Sequence, residues 1–375
     1  MSEYQYHEWQ TIDRLLTPEE QASVNQLSSH IDVSPSRAVV TYNWGDFKHD
    51  PKEVLLQYFD AYFYLANWGS RRLMFRFPKG ILNPEEISPY CDGDFVTFET
   101  IGQYQVLDID FNPDDGGDSI EEEGNLSYFI PLREDLLQGD YRLLYLTWLK
   151  AMTYGATGFE DEESDEDDLE PPVPPGLQKL SPALQYFIQV FDIDPFLVQA
   201  AAENSPDLQD SQSTNYRDLV SRLSRSEADD FLIRLAEGDA GVRLSLRKRL
   251  NEFAPREKIP SAKPRPLQKL LTRAEQLEKA EKEWKAQEAH RKHVAEMKAL
   301  AQRETQVWKQ VDDLLGNGRK IASVYDEATG LLEQLKQLAD FQNTQDTFFS
   351  NIRVLASKYG ARPSLMERWK QHGWL

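Results

Sequence analysis

Three helix starts recur at a fixed interval along the first hundred residues, and they constrain the fold more than any other feature of the sequence. Thr17-Pro18-Glu19-Glu20, Asp50-Pro51-Lys52-Glu53 and Asn83-Pro84-Glu85-Glu86 follow one another at 33-residue spacing. Each sets a side-chain acceptor before a proline at the first helical position, with glutamate three residues past the cap. That chemistry satisfies orphan amides and places negative charge against the helix dipole. Arg37-Ala38-Val39-Val40-Thr41-Tyr42, Arg71-Arg72-Leu73-Met74-Phe75-Arg76 and Tyr104-Gln105-Val106-Leu107-Asp108-Ile109 read as strands at matching offsets. Turn residues precede each: Ser34-Pro35-Ser36, Asn67-Trp68-Gly69 and Gly102-Gln103. The pattern predicts three helix–strand–strand units, a strand before them near Glu3–Ile12, and a helix after them over about Leu132–Tyr154. The alternative, two equal spacings by coincidence of common capping boxes, stays open at this level. The fold class is α+β: an N-terminal antiparallel sheet with covering helices, then an all-α half with one long charged helix.

Charge divides the chain. Residues 1–176 hold 35 acidic and 11 basic side chains, a net of -24, whereas 177–375 carry a net of +3. A field of that sign repels nucleic acid and anionic membranes. Only 256–309, with 14 basic and 8 acidic side chains, is positive enough to approach phosphates. No apolar run approaches the roughly 20 residues of a membrane span. The opening MSEYQYHEWQ lacks the basic and apolar regions of a secretion signal, and Cys91 is the single cysteine. The expected location is cytoplasmic.

Domain organisation follows from composition. Residues 1–157 form the acidic α+β domain. The run 158–176, Gly-Phe-Glu-Asp-Glu-Glu-Ser-Asp-Glu-Asp-Asp-Leu-Glu followed by Pro-Pro-Val-Pro-Pro-Gly, reads as a solvated linker. Residues 177–254 read as a small helical bundle, opened by Ser181-Pro182 and Asp194-Pro195, and 255–266 as a proline-rich linker. Residues 267–315 contain no breaker and predict roughly 70 Å of continuous helix. Glu275–Lys279, Glu278–Lys282, Glu281–Lys285 and Glu288–Lys292 support it at i, i+4. A coiled-coil seam through Leu270, Ala274, Leu277 and Trp284 is interrupted by Glu281, Glu288 and Arg291. A second apolar stripe from Val294 to Leu315 starts out of register. Residues 316–375 form a C-terminal helical module.

Chemistry-bearing residues are few. Asp110, Asn112, Asp114, Asp118 and Glu121 place oxygen ligands at alternate positions, as in a calcium loop. Against it, Asp115 stands where that loop needs glycine, Gly117 where it takes an apolar residue, and Pro113 intrudes. An exposed acidic loop is the competing reading. Asn43-Trp44-Gly45-Asp46 and Asn67-Trp68-Gly69-Ser70 echo each other. Trp44 and Trp68 suit a recognition surface or wedges into the core, and Arg71 and Arg72 suit partners for carboxylates or an anion site. Trp284 and Trp308 are candidates on the basic helix. His290 and His293 lack a third ligand nearby and read as surface residues. No strand leads into a glycine-rich helix start, so no cofactor is expected.

The stretch from Thr41 through Pro51, with Tyr58-Phe-Asp-Ala61, Ala66-Asn-Trp-Gly-Ser-Arg-Arg-Leu73 and Glu170-Pro-Pro-Val-Pro-Pro-Gly-Leu177, resembles a family of uncharacterised bacterial proteins. The resemblance implies bacterial origin and supplies no activity. Tyr359-Gly-Ala-Arg362-Pro363-Ser-Leu365 is similar to the tail of bacterial SWIM-type zinc-finger proteins. This chain has no cysteine–histidine zinc set, so that likeness implies a helical tail module alone.

The leading expectation is a non-enzymatic adaptor. It would hold protein partners through the acidic domain and the C-terminal helices, with the long helix setting their separation. The alternative is an enzyme whose site is assembled from dispersed residues: Asp46, Asp60, Arg71, Arg72 and Asp108. A third reading is nucleic-acid association through 256–309, which the interleaved glutamates weaken.

Overall fold

A single strand, β1 (Gln5–Gln10), precedes three successive helix–strand–strand units. They are α1 (Pro18–Asn25) with β2 (Asp32–Val33) and β3 (Arg37–Tyr42), then α2 (Pro51–Tyr58) with β4 (Ala61–Ala66) and β5 (Arg71–Pro78), then α3 (Pro84–Ile87) with β6 (Val96–Ile101) and β7 (Tyr104–Phe111). The computed structural model describes residues 4–112, 124–154, 169–208, 216–239, 241–253, 264–317 and 322–375. Two compact units divide the chain, Met1–Glu278 and Lys279–Leu375.

All three sequence-marked caps form. Thr17 accepts from the Glu20 amide at 3.2 Å while the Glu20 carboxylate takes the Thr17 amide at 2.8 Å. Asp50 accepts from the Lys52 amide at 2.8 Å, and Asn83 from the Glu85 amide at 3.2 Å. The strands form one antiparallel sheet in the order β2-β3-β1-β4-β5-β7-β6.

Strand alternation sorts the sheet into two faces. Tyr6, Phe63, Leu73, Phe75, Ile109 and Phe111 belong to the larger core, shared with α4 (Ile130–Leu137), α5 (Arg142–Tyr154), α6 (Pro182–Val190) and α7 (Pro195–Ala202). Trp9, Ala38, Val40, Tyr62, Met74 and Val106 form the other core with Val24 of α1 and Val54 and Leu55 of α2. The helix expected over Leu132–Tyr154 is thus two helices. Gly139 adopts φ +79°, a left-handed geometry that ends α4, and Asp140 receives the Arg142 amide at 3.0 Å as α5 begins.

Residues 169–176 differ from the solvated linker that composition suggests. Pro171, Val173 and Pro174 are buried. Proline has no amide hydrogen, so an extended proline run enters a core without orphaning donors. Leu169 bridges Pro266, and the Glu170 amide donates to the Arg265 carbonyl at 2.9 Å. Arg265 holds both Glu170 carboxylate oxygens at 2.8 Å, and the Tyr145 hydroxyl also donates to Glu170. The acidic stretch 158–168 and residues 254–263 lie outside the described residues.

Nor do 177–254 stand apart as a bundle. Phe187 and Phe191 pack with Phe129, and Phe191 meets Phe111 of the sheet. After α8 (Tyr216–Val220) and α9 (Arg225–Ala236), α10 (Val242–Asn251) adds Leu244 to the large core and pairs Arg247 with Glu134. The first turns of α11 (Leu267–Ala301) contribute Leu267, Leu270 and Ala274 to the same core.

The expected continuous helix is broken at Gln302–Arg303, where α11 ends and α12 (Glu304–Asn317) begins. The second unit continues with α13 (Ala322–Gln342), α14 (Gln345–Tyr359) and α15 (Pro363–Gln371). Its own core joins Met297, Leu300, Val311 and Leu315 to Leu332, Leu335, Phe348, Ile352, Leu365 and Trp369. Residues 282–287 are exposed. Among the described residues, no helix is long and apolar enough to cross a membrane.

Candidate functional site

The sheet face carrying Gln5, His7 and Trp9 gathers more polar and aromatic side chains than a core needs. Register aligns Val40, His7, Tyr64, Arg72 and Asp110 in one cross-strand row. The next row is Ala38, Trp9, Tyr62, Met74 and Asp108.

One end of these rows is charged. Arg72 grips Asp108 with Nε at 2.8 Å and Nη2 at 2.7 Å, and reaches Asp110 at 3.3 Å. Lys52 of α2 bridges Asp108 at 2.9 Å and Glu99 at 2.8 Å. Burial works against the Asp108 carboxylate, but Arg72 and Lys52 outweigh it and hold its pKa below the ordinary range. Asp110 goes the other way. Burial, helped by the charge of Asp108, raises its pKa against the opposing pull of Arg72.

The other end is aromatic. His7 sits with its ring 4.6 Å from Tyr64, 5.5 Å from Phe47 and 5.9 Å from Trp9, centroid to centroid. Its Nδ1 lies 2.9 Å from the Tyr62 hydroxyl, while Nε2 is buried with no hydrogen-bond partner among the described residues. Burial lowers the His7 pKa to about 4, against a smaller upward pull from Asp46. The loop 43–50 closes this end. Gln5 donates to the Gly45 carbonyl at 3.1 Å and to Asp46 at 2.8 Å, and accepts from Tyr64 at 3.3 Å. Burial first, then Asp46 and Asp110, raise the Tyr64 pKa, so both carboxylates act on one phenol.

The residues singled out from sequence are distributed unevenly. Asp46, Arg72, Asp108 and Asp110 meet on this face, and Trp44 stands 75% exposed in its loop. Asp60 belongs to a different network: Arg76 at 2.7 Å, the amides of Ile12 and Asp13 at 2.7 and 3.0 Å, and Arg133 bound to Asp13 at 2.7 Å. Arg71 is half-buried in the row with Leu65 and Phe111, on the opposite face, and Trp68 is half-buried in the β4–β5 turn. The five residues proposed for a dispersed enzyme site therefore do not form one cluster. Trp284 is exposed, whereas Trp308 packs on Phe348 at 5.8 Å and donates to Glu304 at 3.3 Å.

Of the calcium-loop set, Asp110 pairs with Arg72 and Asn112 accepts from the Ser70 hydroxyl. Asp114, Asp118 and Glu121 lie outside the described residues. Among the described residues, no group of three or more histidine, cysteine or acidic side chains is placed to hold a metal.

Sequence reasoning missed His7, Tyr62, Tyr64 and Lys52. The only signal was period-two alternation, which puts Gln5, His7 and Trp9 on one face of a strand.

A second surface lies on α9. The Ser224–Glu227 capping box starts it, and Arg249 ties Glu227 at 2.9 Å. None of its residues is buried; Leu232, Ile233 and Leu235 are 63%, 56% and 62% exposed. In the same unit, Leu177, Leu180, Ile188, Pro195, Val198 and Ala202 line an open apolar groove of about 490 Å³. No protein-family model, curated protein or solved structure matches the chain.

Proposed function

We propose that this chain is a non-enzymatic interaction protein, an adaptor that holds protein partners. The observation that carries the reading is α9: three large aliphatic side chains on a helix that buries none of its own residues. Isolated helices of this length are marginal in water and owe their stability to packing of an apolar face. Leu232 and Leu235, three residues apart on one stripe of the helix, leave that face available to an incoming groove or helix. The net charge of -24 over residues 1–176 favours basic partners and speeds their encounter.

The test is affinity purification of the intact chain from its own cells in gentle salt, beside the double variant Leu232→Asp, Leu235→Asp. A protein retained by the parent chain and lost from the variant supports the reading. Equal recovery from both, with the variant folded, contradicts it.

A further inference from the structure

We propose that the aromatic box around His7, beneath loop 43–50, seats an ammonium group, namely a lysine side chain that donates to His7 Nε2 and pairs with Asp46. This goes beyond the α9 surface and does not depend on it. His7 is only 5% exposed, and its Nε2 is a polar atom inside the protein without a partner among the described residues. Such atoms are costly to bury and rare in native interiors. In the tautomer with the proton on Nδ1, donated to the Tyr62 hydroxyl 2.9 Å away, Nε2 presents a lone pair.

The surroundings have one preference in common. The π faces of Tyr64 and Trp9 attract cations. Among the described residues, the Asp46 carboxylate accepts from the Gln5 amide alone, and it adds a negative charge. Burial keeps the imidazole neutral at pH 7, with its pKa near 4, so the nitrogen that carries no proton accepts. An ammonium is a compact charge with three separately directed donors, which suits a lone pair, a carboxylate and ring faces at different angles. The planar guanidinium fork suits two parallel acceptors instead.

Entry requires Phe47 to swing out. Its half-buried ring lies 5.5 Å from His7 and 5.1 Å from Trp9 and is the one ring of the box carried by the exposed loop. The loop around it is otherwise exposed, and Gln5 holds it through the Gly45 carbonyl and Asp46. Removing the Phe47 ring should therefore favour binding, whereas loss of a structural ring would not.

The experiment uses the full chain with ¹⁵N-labelled histidine and titrates two probes, an end-blocked Gly-Lys-Gly peptide and n-butylamine. The His7 Nε2 resonance should shift saturably. Calorimetry should show binding about tenfold weaker in His7→Phe and in Asp46→Asn, and several-fold tighter in Phe47→Ala. Response to both probes assigns the seat to the ammonium alone; response to the peptide only adds its backbone, and both outcomes support the proposal. An unmoved Nε2 resonance in the parent chain and in Phe47→Ala overturns it. So does unchanged affinity in a folded His7→Phe variant.

Discussion

His7 is a buried imidazole whose ordinary pKa of 6.5 falls to about 4 in the folded chain. Between those values the unfolded chain binds the extra proton and the folded chain does not. Stability is therefore complete above about pH 6.5 and declines as pH falls toward 4, by about 3 kcal/mol over the full interval. Urea unfolding at pH 7 and pH 4.5 should show this loss in the parent chain and a clearly smaller one in His7→Phe, where only carboxylates such as Glu8 still contribute. Asp60 and Asp108 act in a different window. Burial opposes their charge, yet Arg76 and Arg133 for Asp60, and Arg72 and Lys52 for Asp108, hold both below 3.8. Their contribution is lost only as pH falls through those lower values, so it leaves the first comparison intact. Asp60→Asn leaves the buried Arg76 without its carboxylate and should cost about 3–5 kcal/mol in the same assay at pH 7. The helix caps were legible in the sequence because Thr17, Asp50 and Asn83 act on amides two or three residues away. His7 was not, because its neighbours Phe47, Tyr62 and Tyr64 come from separate segments that only the sheet register brings together.

The three helix–strand–strand units could be read at the level of elements because each begins with local chemistry and continues with strand periodicity. Three departures have tertiary or local causes. Gly139 divides the helix expected after the sheet, a signal the sequence did contain. The proline run 171–176 is packed because Glu170 is tied to Arg265 and Tyr145, partners far away in sequence. The break at Gln302–Arg303 has no glycine or proline to announce it. The Glu170 clasp carries a prediction of its own. Glu170→Ala leaves Arg265 without its carboxylate and should lower unfolding free energy by about 3 kcal/mol, whereas the exposed change Leu232→Asp should stay within about 0.5 kcal/mol. Thermal or urea melts of the two variants check both, and the second result is what makes α9 a fair probe of binding rather than of folding.

For the whole molecule, the described residues form three hydrophobic cores, two within Met1–Glu278 and one within Lys279–Leu375. A unit with its own core can fold alone. The fragment 279–375 should therefore be helical by circular dichroism and melt cooperatively; a non-cooperative, largely unfolded fragment would contradict that reading. The α+β class and the helical second half were legible from hydrophobic periodicity. Membership of α6 and α7 in the sheet's core was not, since an apolar helix face does not name the surface it will cover. The central claim is that the outward face of α9 holds a protein partner, and the most direct measurement is amide hydrogen exchange with and without the partner recovered by the intact chain. Slowed exchange in residues 225–236 on addition of that partner is the predicted result. Unchanged exchange in that helix, with protection confined to other segments, would contradict the account.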